Sequence, residues 1–197
     1  MTARKAYEIL KTSNPSALKK AEDILTKFSD YSTQKHESDY PFVECVTWPD
    51  DIKRIGGGWQ SSWHFDDQAI FGDNTPIDQL DVKVELKNIS TVMPQLYNWL
   101  DGKPDTSSLA YTTVMKHSKS EDEGKAQALR LLIHFYGDVH QPLHNANRYT
   151  KDLPSGDRGG NDFLLKYHYT ANELHAVWDT TVYTNHKSIK RPFSSDA

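Results

Sequence analysis

The stretch HFYGDVHQPLH, residues 134–144, places three histidines and an aspartate within eleven positions. A histidine packed in a core is usually solitary, so this crowd constrains the chain more than any other feature. The helix that carries it has to deliver several ligand-type side chains together. Residues four apart share one face of a helix, so His134 and Asp138 present an imidazole and a carboxylate to one point. The same spacing recurs at His175 and Asp179. His144 lies just beyond Pro142, where the helix must break and the chain can swing it toward a different point. Upstream, Asp50 in TWPDDIK and His64 in SSWHFDD fall in an irregular region, where side chains are not committed to a core.

These residues supply three carboxylates and four imidazoles. Zinc is satisfied by three or four such ligands, so one ion would leave some unused and two would consume most of them. A single His/Asp pair at this spacing is commonly a solvated helix contact worth about 0.2–0.5 kcal/mol. Two pairs accompanied by Asp50, His64 and His144 point instead to a multinuclear site. His140 is off the Asp138 face and suits hydrogen bonding around the site rather than ligation. His36, His117, His168 and His186 lack such company and read as surface or local packing.

Composition narrows the alternatives. Cys45 is the only cysteine, which removes an intrachain disulfide framework and any cysteine-rich zinc site, so a metal must be held by His, Asp and Glu. A net charge of −4 gives no overall basic footprint for salt-driven duplex binding. Recognition by stacking or by metal stays open. No run approaches the roughly 18 apolar residues of a membrane span, and the first residues lack the apolar core of a signal peptide. At 197 residues and 37% hydrophobic content, the chain reads as one domain over 1–197 with one sizeable core. Asn88-Ile89-Ser90 is a glycosylation sequon that matters only in a secreted protein.

The apolar periodicity predicts helices over residues 3–11, from Pro15 to about Phe28 behind an Asn14 cap, over 78–100 with a kink at Met93-Pro94, and over about 121–139 with a stop near Gln141. NELHAVWDTTVY reads as a further helix. Residues 29–75 are loops rich in Asp, Gly, Ser and aromatics, too long for an idle connection. FLLKYHY is an ambiguous apolar run, and no strand set suffices for a sheet core. The tryptophans at 48, 59, 63, 99 and 178 belong mainly to the core or a cleft wall.

TWPDDIK, WHFDD, HFYGDVHQPLH, GGNDF and ELHAVWDT follow one another from residue 47 to residue 180. In content, order and spacing this series resembles the S1/P1-type zinc-dependent nucleases and 3′-nucleotidases. The resemblance implies an all-α, phospholipase C/P1 nuclease-like fold with long irregular loops around three zinc ions at the bottom of a cleft. By motif position, Asp50, His64, His134 and Asp138 would hold one zinc, with Asp138 bridging toward another. His144, His175 and Asp179 would hold the second. Lys53, three residues after Asp50, would neutralise charge on the departing oxygen, where the family often has arginine. Phe65 would stack on a nucleobase, Asp67 would bond the base edge, and Asn161 in the GGND loop would share that task.

The family's WGxxGH-type opening segment, which holds its third zinc, has no counterpart here, and the family usually continues for several helices past the ELHAVWDT helix. The chain is therefore expected to be truncated at both ends, with ligands for two zinc ions. The resemblance implies hydrolysis of single-stranded DNA and RNA to 5′-mononucleotides, 3′-nucleotidase activity, and a secreted or endomembrane, lysosome-like location. Alternatives are an inactive zinc- and nucleotide-binding fragment, and a zinc phospholipase C, against which Phe65 and Asp67 argue.

Overall fold

The computed structural model describes residues 2–28, 39–166 and 171–185, with side chains as far as 180. His36, His168 and His186 lie outside the described residues. Helix α1 (Thr2–Ser13) leads to Asn14, whose side chain accepts from the Ala17 N–H and starts α2 (Pro15–Leu25) with Pro15 in its first turn. Two short helical turns follow, α3 (Pro41–Glu44) and α4 (Trp48–Asp51), each with proline in its first turn. After strand β1 (Gln68–Phe71) come α5 (Ile89–Leu100), α6 (Leu109–Lys116) and α7 (Glu121–Asp138). Asn88, Ser108 and Ser120 cap these three helices, each accepting the N–H three residues on. Strand β2 (Ala146–Tyr149) and helix α8 (Leu174–Asn185) complete the described order.

Helix α7 is the centre of the molecule. One side packs Ala128, Leu131, Leu132 and Phe135 with Val92, Leu96 and Trp99 of α5 and Ala110 and Val114 of α6. Leu129 and Ile133 turn the other way, against Leu18, Leu25, Phe42 and Cys45. Gly124 is required where α7 crosses its neighbours, because a Cβ there would stand 2.7 Å from Met115 Sδ and 2.9 Å from Trp99. A helix apolar on two sides cannot shift without disturbing both clusters, and its last turn carries His134 and Asp138.

Among the described residues the fold is all-α apart from one parallel pair, β1 with β2, in which Gln68 lies opposite Ala146, and an isolated antiparallel bridge between Leu164 and Glu173. Every residue of β1 is exposed, so the pair forms no sheet core. The helix expected over 78–100 begins only at Ile89. Asn88 caps it there, and Val84, an apolar residue within the expected span, is 80% exposed with no core to face. Pro94 stands inside the shorter helix. The short α6 was not anticipated from the sequence, and α7 ends at Asp138, slightly before the expected stop. Trp48, Trp63 and Trp99 are core residues, Trp59 packs at its edge, and Trp178 lines a cleft. His117 is local packing, its ring stacked on Trp59 at 4.7 Å. Among the described residues, no helix is long and apolar enough to cross a membrane.

Candidate metal centre

Two groups of ligand-type side chains come together: Asp50, His64 and His134 in one, and His144, His175 and Asp179 in the other. In each, one donor atom per residue lies within 4.8 Å of the others. Donors bound to one zinc at about 2.1 Å stand roughly 3–4 Å apart, so only small adjustments separate either group from a ligand set. Asp138 sits between them. Its Oδ2 lies 2.7 Å from His64 Nδ1 and 3.0 Å from His134 Nε2, while its Oδ1 is 3.8 Å from His144 Nδ1. Asp50 closes the first group at 3.6 Å from His134 Nε2 and 3.8 Å from His64 Nδ1.

Each imidazole is aimed by a second hydrogen bond. His134 donates Nδ1–H to Val46 O at 2.6 Å, His144 donates to His64 O at 2.9 Å, and His175 donates to Gly159 O at 2.7 Å. A carbonyl only accepts, so Nδ1 carries a proton in all three rings and Nε2 is the nitrogen left for another partner. The His64 ring is reversed, with Nε2 bonded to Gln60 Oε1 at 2.5 Å and Nδ1 facing the site. His64 Nδ1, His134 Nε2 and Asp138 Oδ2 therefore converge as three acceptors, and His64 Nδ1 and His134 Nε2 are only 3.0 Å apart. Acceptors this close are relieved by a shared cation, either a proton on His134 Nε2 or a metal ion, and the donor set fits a metal ion.

The electrostatics have the same cause. Burial disfavours the Asp138 carboxylate, but the His134 and His64 rings against it outweigh that cost and hold the group well below the usual carboxylate range. Burial likewise raises Asp50, yet His134, Lys53 and His64 bring it below its ordinary value. His64 is pushed down, chiefly by burial, against the pull of Asp138. Burial also opposes charge on His134, but Asp138, Asp50 and the Val46 carbonyl leave it raised. The site favours charge on Asp50 and Asp138 and disfavours it on the His64 ring.

The local chain explains these positions. In the GGND loop, Gly159 adopts φ +63° and a Cβ there would lie 2.2 Å from Leu143 O, so only glycine lets the loop approach. That approach lets Gly159 O hold His175 Nδ1 and Gly160 O accept the His175 N–H. Asp50, His134, Asp138, His144, Trp178 and Asp179 share a cleft of about 410 Å³, whose wall includes Thr2 and Ala3 of α1.

The S1/P1 Nuclease family model matches residues 1–197. The chain belongs to the S1/P1 nuclease family. Nuclease P1 from Penicillium citrinum is 29% identical over 157 residues, covering 79% of this chain and 49% of that protein. Endonuclease 3 from Arabidopsis thaliana is 27% identical over 137 residues, 69% of this chain and 40% of its own length. Nuclease S1 from Aspergillus oryzae is 33% identical over 72 residues, 36% of this chain and 22% of its own length. The chain thus spans about half or less of the curated relatives it matches.

In this S1/P1-family chain the other expected residues divide. Lys53 Nζ lies 2.8 Å from Asp50 Oδ1, beside the first group. The Phe65 ring stands 4.6 Å from His144, and Phe65 and Asp67 line a second cavity of about 410 Å³ with Asn88, Asn147 and Tyr149. Burial raises the Asp67 carboxyl, helped by Asp66 and Asp157 and opposed by His144 and His175. Asn161 is not among the residues lining either cavity; its Nδ2 donates to Arg158 O at 2.8 Å. His140 donates Nδ1–H to Tyr136 O at 2.6 Å, closing its own helix end instead of supporting a ligand.

Two residues escaped the sequence reading. Gln141 donates Nε2–H to Asp179 Oδ1 at 3.1 Å while its Oε1 accepts from Leu143 N at 2.6 Å, so the turn after α7 reaches a carboxylate of α8. Gln60 holds His64 and is fully buried. Its place four residues before a candidate ligand was the available signal.

Proposed function

We propose that this chain is a single domain that hydrolyses the phosphodiester bonds of single-stranded DNA and RNA to 5′-mononucleotides and removes 3′-phosphates from nucleotides, using zinc. The observation that carries the reading is the convergence of His64 Nδ1, His134 Nε2 and Asp138 Oδ2 beside a second His/His/Asp group. Asp50, His64, His134 and Asp138 would hold one zinc, and His144, His175 and Asp179 the second, with Asp138 shared. Adjacent zinc ions supply a water acidic enough to ionise near neutral pH and positive charge for phosphoryl oxygens.

The chain's own residues divide the remaining work. A water oxygen bonds to phosphorus and the bond to the 3′ oxygen breaks, leaving a 3′-hydroxyl and a 5′-phosphate. Lys53 lies beside Asp50 with a compact charge that neutralises the departing oxygen through one prong, where arginine would use two. Phe65 offers its ring to a nucleobase, a contact worth about 1–3 kcal/mol that tolerates any base. Asp67, whose carboxylate takes no hydrogen bond among the described residues, is available to the base edge, and Asn161, held by Arg158 O outside the Phe65 cavity, would share that task only by reaching in from the GGND loop. Stacking with little base preference suits a net charge of −4. A secreted or lysosome-like endomembrane setting belongs to the same reading.

The test is zinc-dependent cleavage of single-stranded DNA and RNA with end-group analysis, alongside phosphate release from a 3′-nucleotide. Mononucleotides with 5′-phosphates are expected. Zinc and nucleotide binding without turnover would replace this reading by that of a binding domain, and hydrolysis of phosphatidylcholine in preference to nucleotides by that of a phospholipase.

A further inference from the structure

Gln60 has no exposed surface and belongs to the 3-10 segment Gly58–His64, four residues before His64. Its Nε2 donates to Pro49 O at 2.6 Å and to Gly57 O at 3.2 Å. Both amide hydrogens are thereby used. Turning the amide over would set Oε1 against two carbonyl oxygens, a repulsive contact with no water to relieve it. Oε1 must then be the atom 2.5 Å from His64 Nε2, and an amide oxygen can only accept. Nε2 of His64 therefore carries the proton, and the Nδ1 lone pair is left facing Asp138 and His134.

The other three rings in the site are held the opposite way, through Nδ1–H on the carbonyls of Val46, His64 and Gly159. His64 alone among these four rings is oriented by a side chain, and so is the ring a single substitution can release. Pro49 immediately precedes Asp50, which means that the same amide ties His64 to the turn carrying another member of its group.

We infer that Gln60 is a positioning residue for the first metal position, fixing the His64 tautomer and ring angle and registering His64 against Asp50. The inference rests on the zinc reading above. Outer partners of metal-bound histidines typically tune metal affinity about 10- to 100-fold. Gln60→Met keeps the length and apolar stem of the side chain and removes all three hydrogen bonds.

The experiment measures zinc affinity at both positions of the full chain by chelator competition, and records long-range 15N–1H spectra of the imidazoles with and without zinc. The expected result for Gln60→Met is about 10- to 100-fold weaker binding of one zinc with the other unchanged. In the wild-type protein His64 should show a protonated Nε2, and His134, His144 and His175 a protonated Nδ1. Unchanged affinity for both zincs in Gln60→Met, an equal loss at both, or an unprotonated wild-type His64 Nε2 overturns the inference. If the wild-type chain binds no zinc, the functional reading fails, while the metal-free spectrum still decides whether Gln60 sets the tautomer. If Gln60→Met does not fold, the wild-type spectra decide alone.

Discussion

Asp138 Oδ2 lies 2.7 Å from His64 Nδ1, a nitrogen whose proton is on the far side of the ring, so two acceptors from residues 74 apart in sequence face each other inside the protein. On the zinc reading, a carboxylate placed between the two histidine groups would serve as a ligand to both. Asp138→Ala should therefore weaken zinc binding more than ~100-fold at the first group, beyond the usual effect of an outer partner, and reduce it at the second. Cleavage should fall to background. Zinc titration followed by a nuclease assay checks both, and an Asp138→Ala chain with full zinc and full activity would remove the bridging role.

Phe65 is separable from the metals even though it lies against His144. Phe65→Ala removes the stacking surface, worth about 1–3 kcal/mol, which corresponds to roughly a 5- to 150-fold rise in KM for nucleotides. Zinc per chain should stay the same. Steady-state kinetics with parallel metal analysis make the comparison, and unchanged KM would assign Phe65 to packing alone.

That these ligand-type side chains would cluster was legible in the sequence because helical spacing is a geometric rule. His134 with Asp138, and His175 with Asp179, had to share a face once their helices formed, and Pro142 had to turn His144 away. What aims those side chains was not legible. Val46, His64 and Gly159 act through backbone carbonyls, which every residue has, so residue type carries no signal there. The overlong helix over 78–100 fails for a related reason. Leu80 and Val84 have the right character for a helix face, but apolar periodicity cannot say whether a core lies opposite, and the Asn88 cap decides the start.

Asn88 does two structural tasks. Its Oδ1 accepts from Thr91 N at 2.9 Å to start α5, and its Nδ2 donates to Asp66 Oδ1 at 2.6 Å beside the Phe65 cavity. Asn88→Ala should cost about 0.5–2 kcal/mol through the lost cap. Denaturant unfolding checks this, and unchanged stability would contradict the capping role.

Glu121 connects the starts of α7 and α6 to the end of α5. It accepts from Trp99 Nε1 at 2.9 Å and Tyr111 OH at 2.8 Å. Burial raises its carboxyl, but these bonds and Lys125 outweigh it, and the net shift is downward. A group with a depressed folded pKa contributes stability that is present above the unfolded value of about 4.3 and is lost as pH falls through the folded value. Thermal unfolding of the wild-type chain should therefore weaken below about pH 4.3, and Glu121→Gln should flatten that part of the profile while lowering Tm near neutrality. Equal acid slopes in the two proteins would show that Glu121 is not a source of the loss.

The most direct test of the metal centre is zinc per chain by elemental analysis, after equilibration with zinc and removal of the unbound metal. The two ligand groups predict two zinc ions in the wild-type protein and a reduced count in Asp138→Ala. A wild-type chain that retains no zinc contradicts the account.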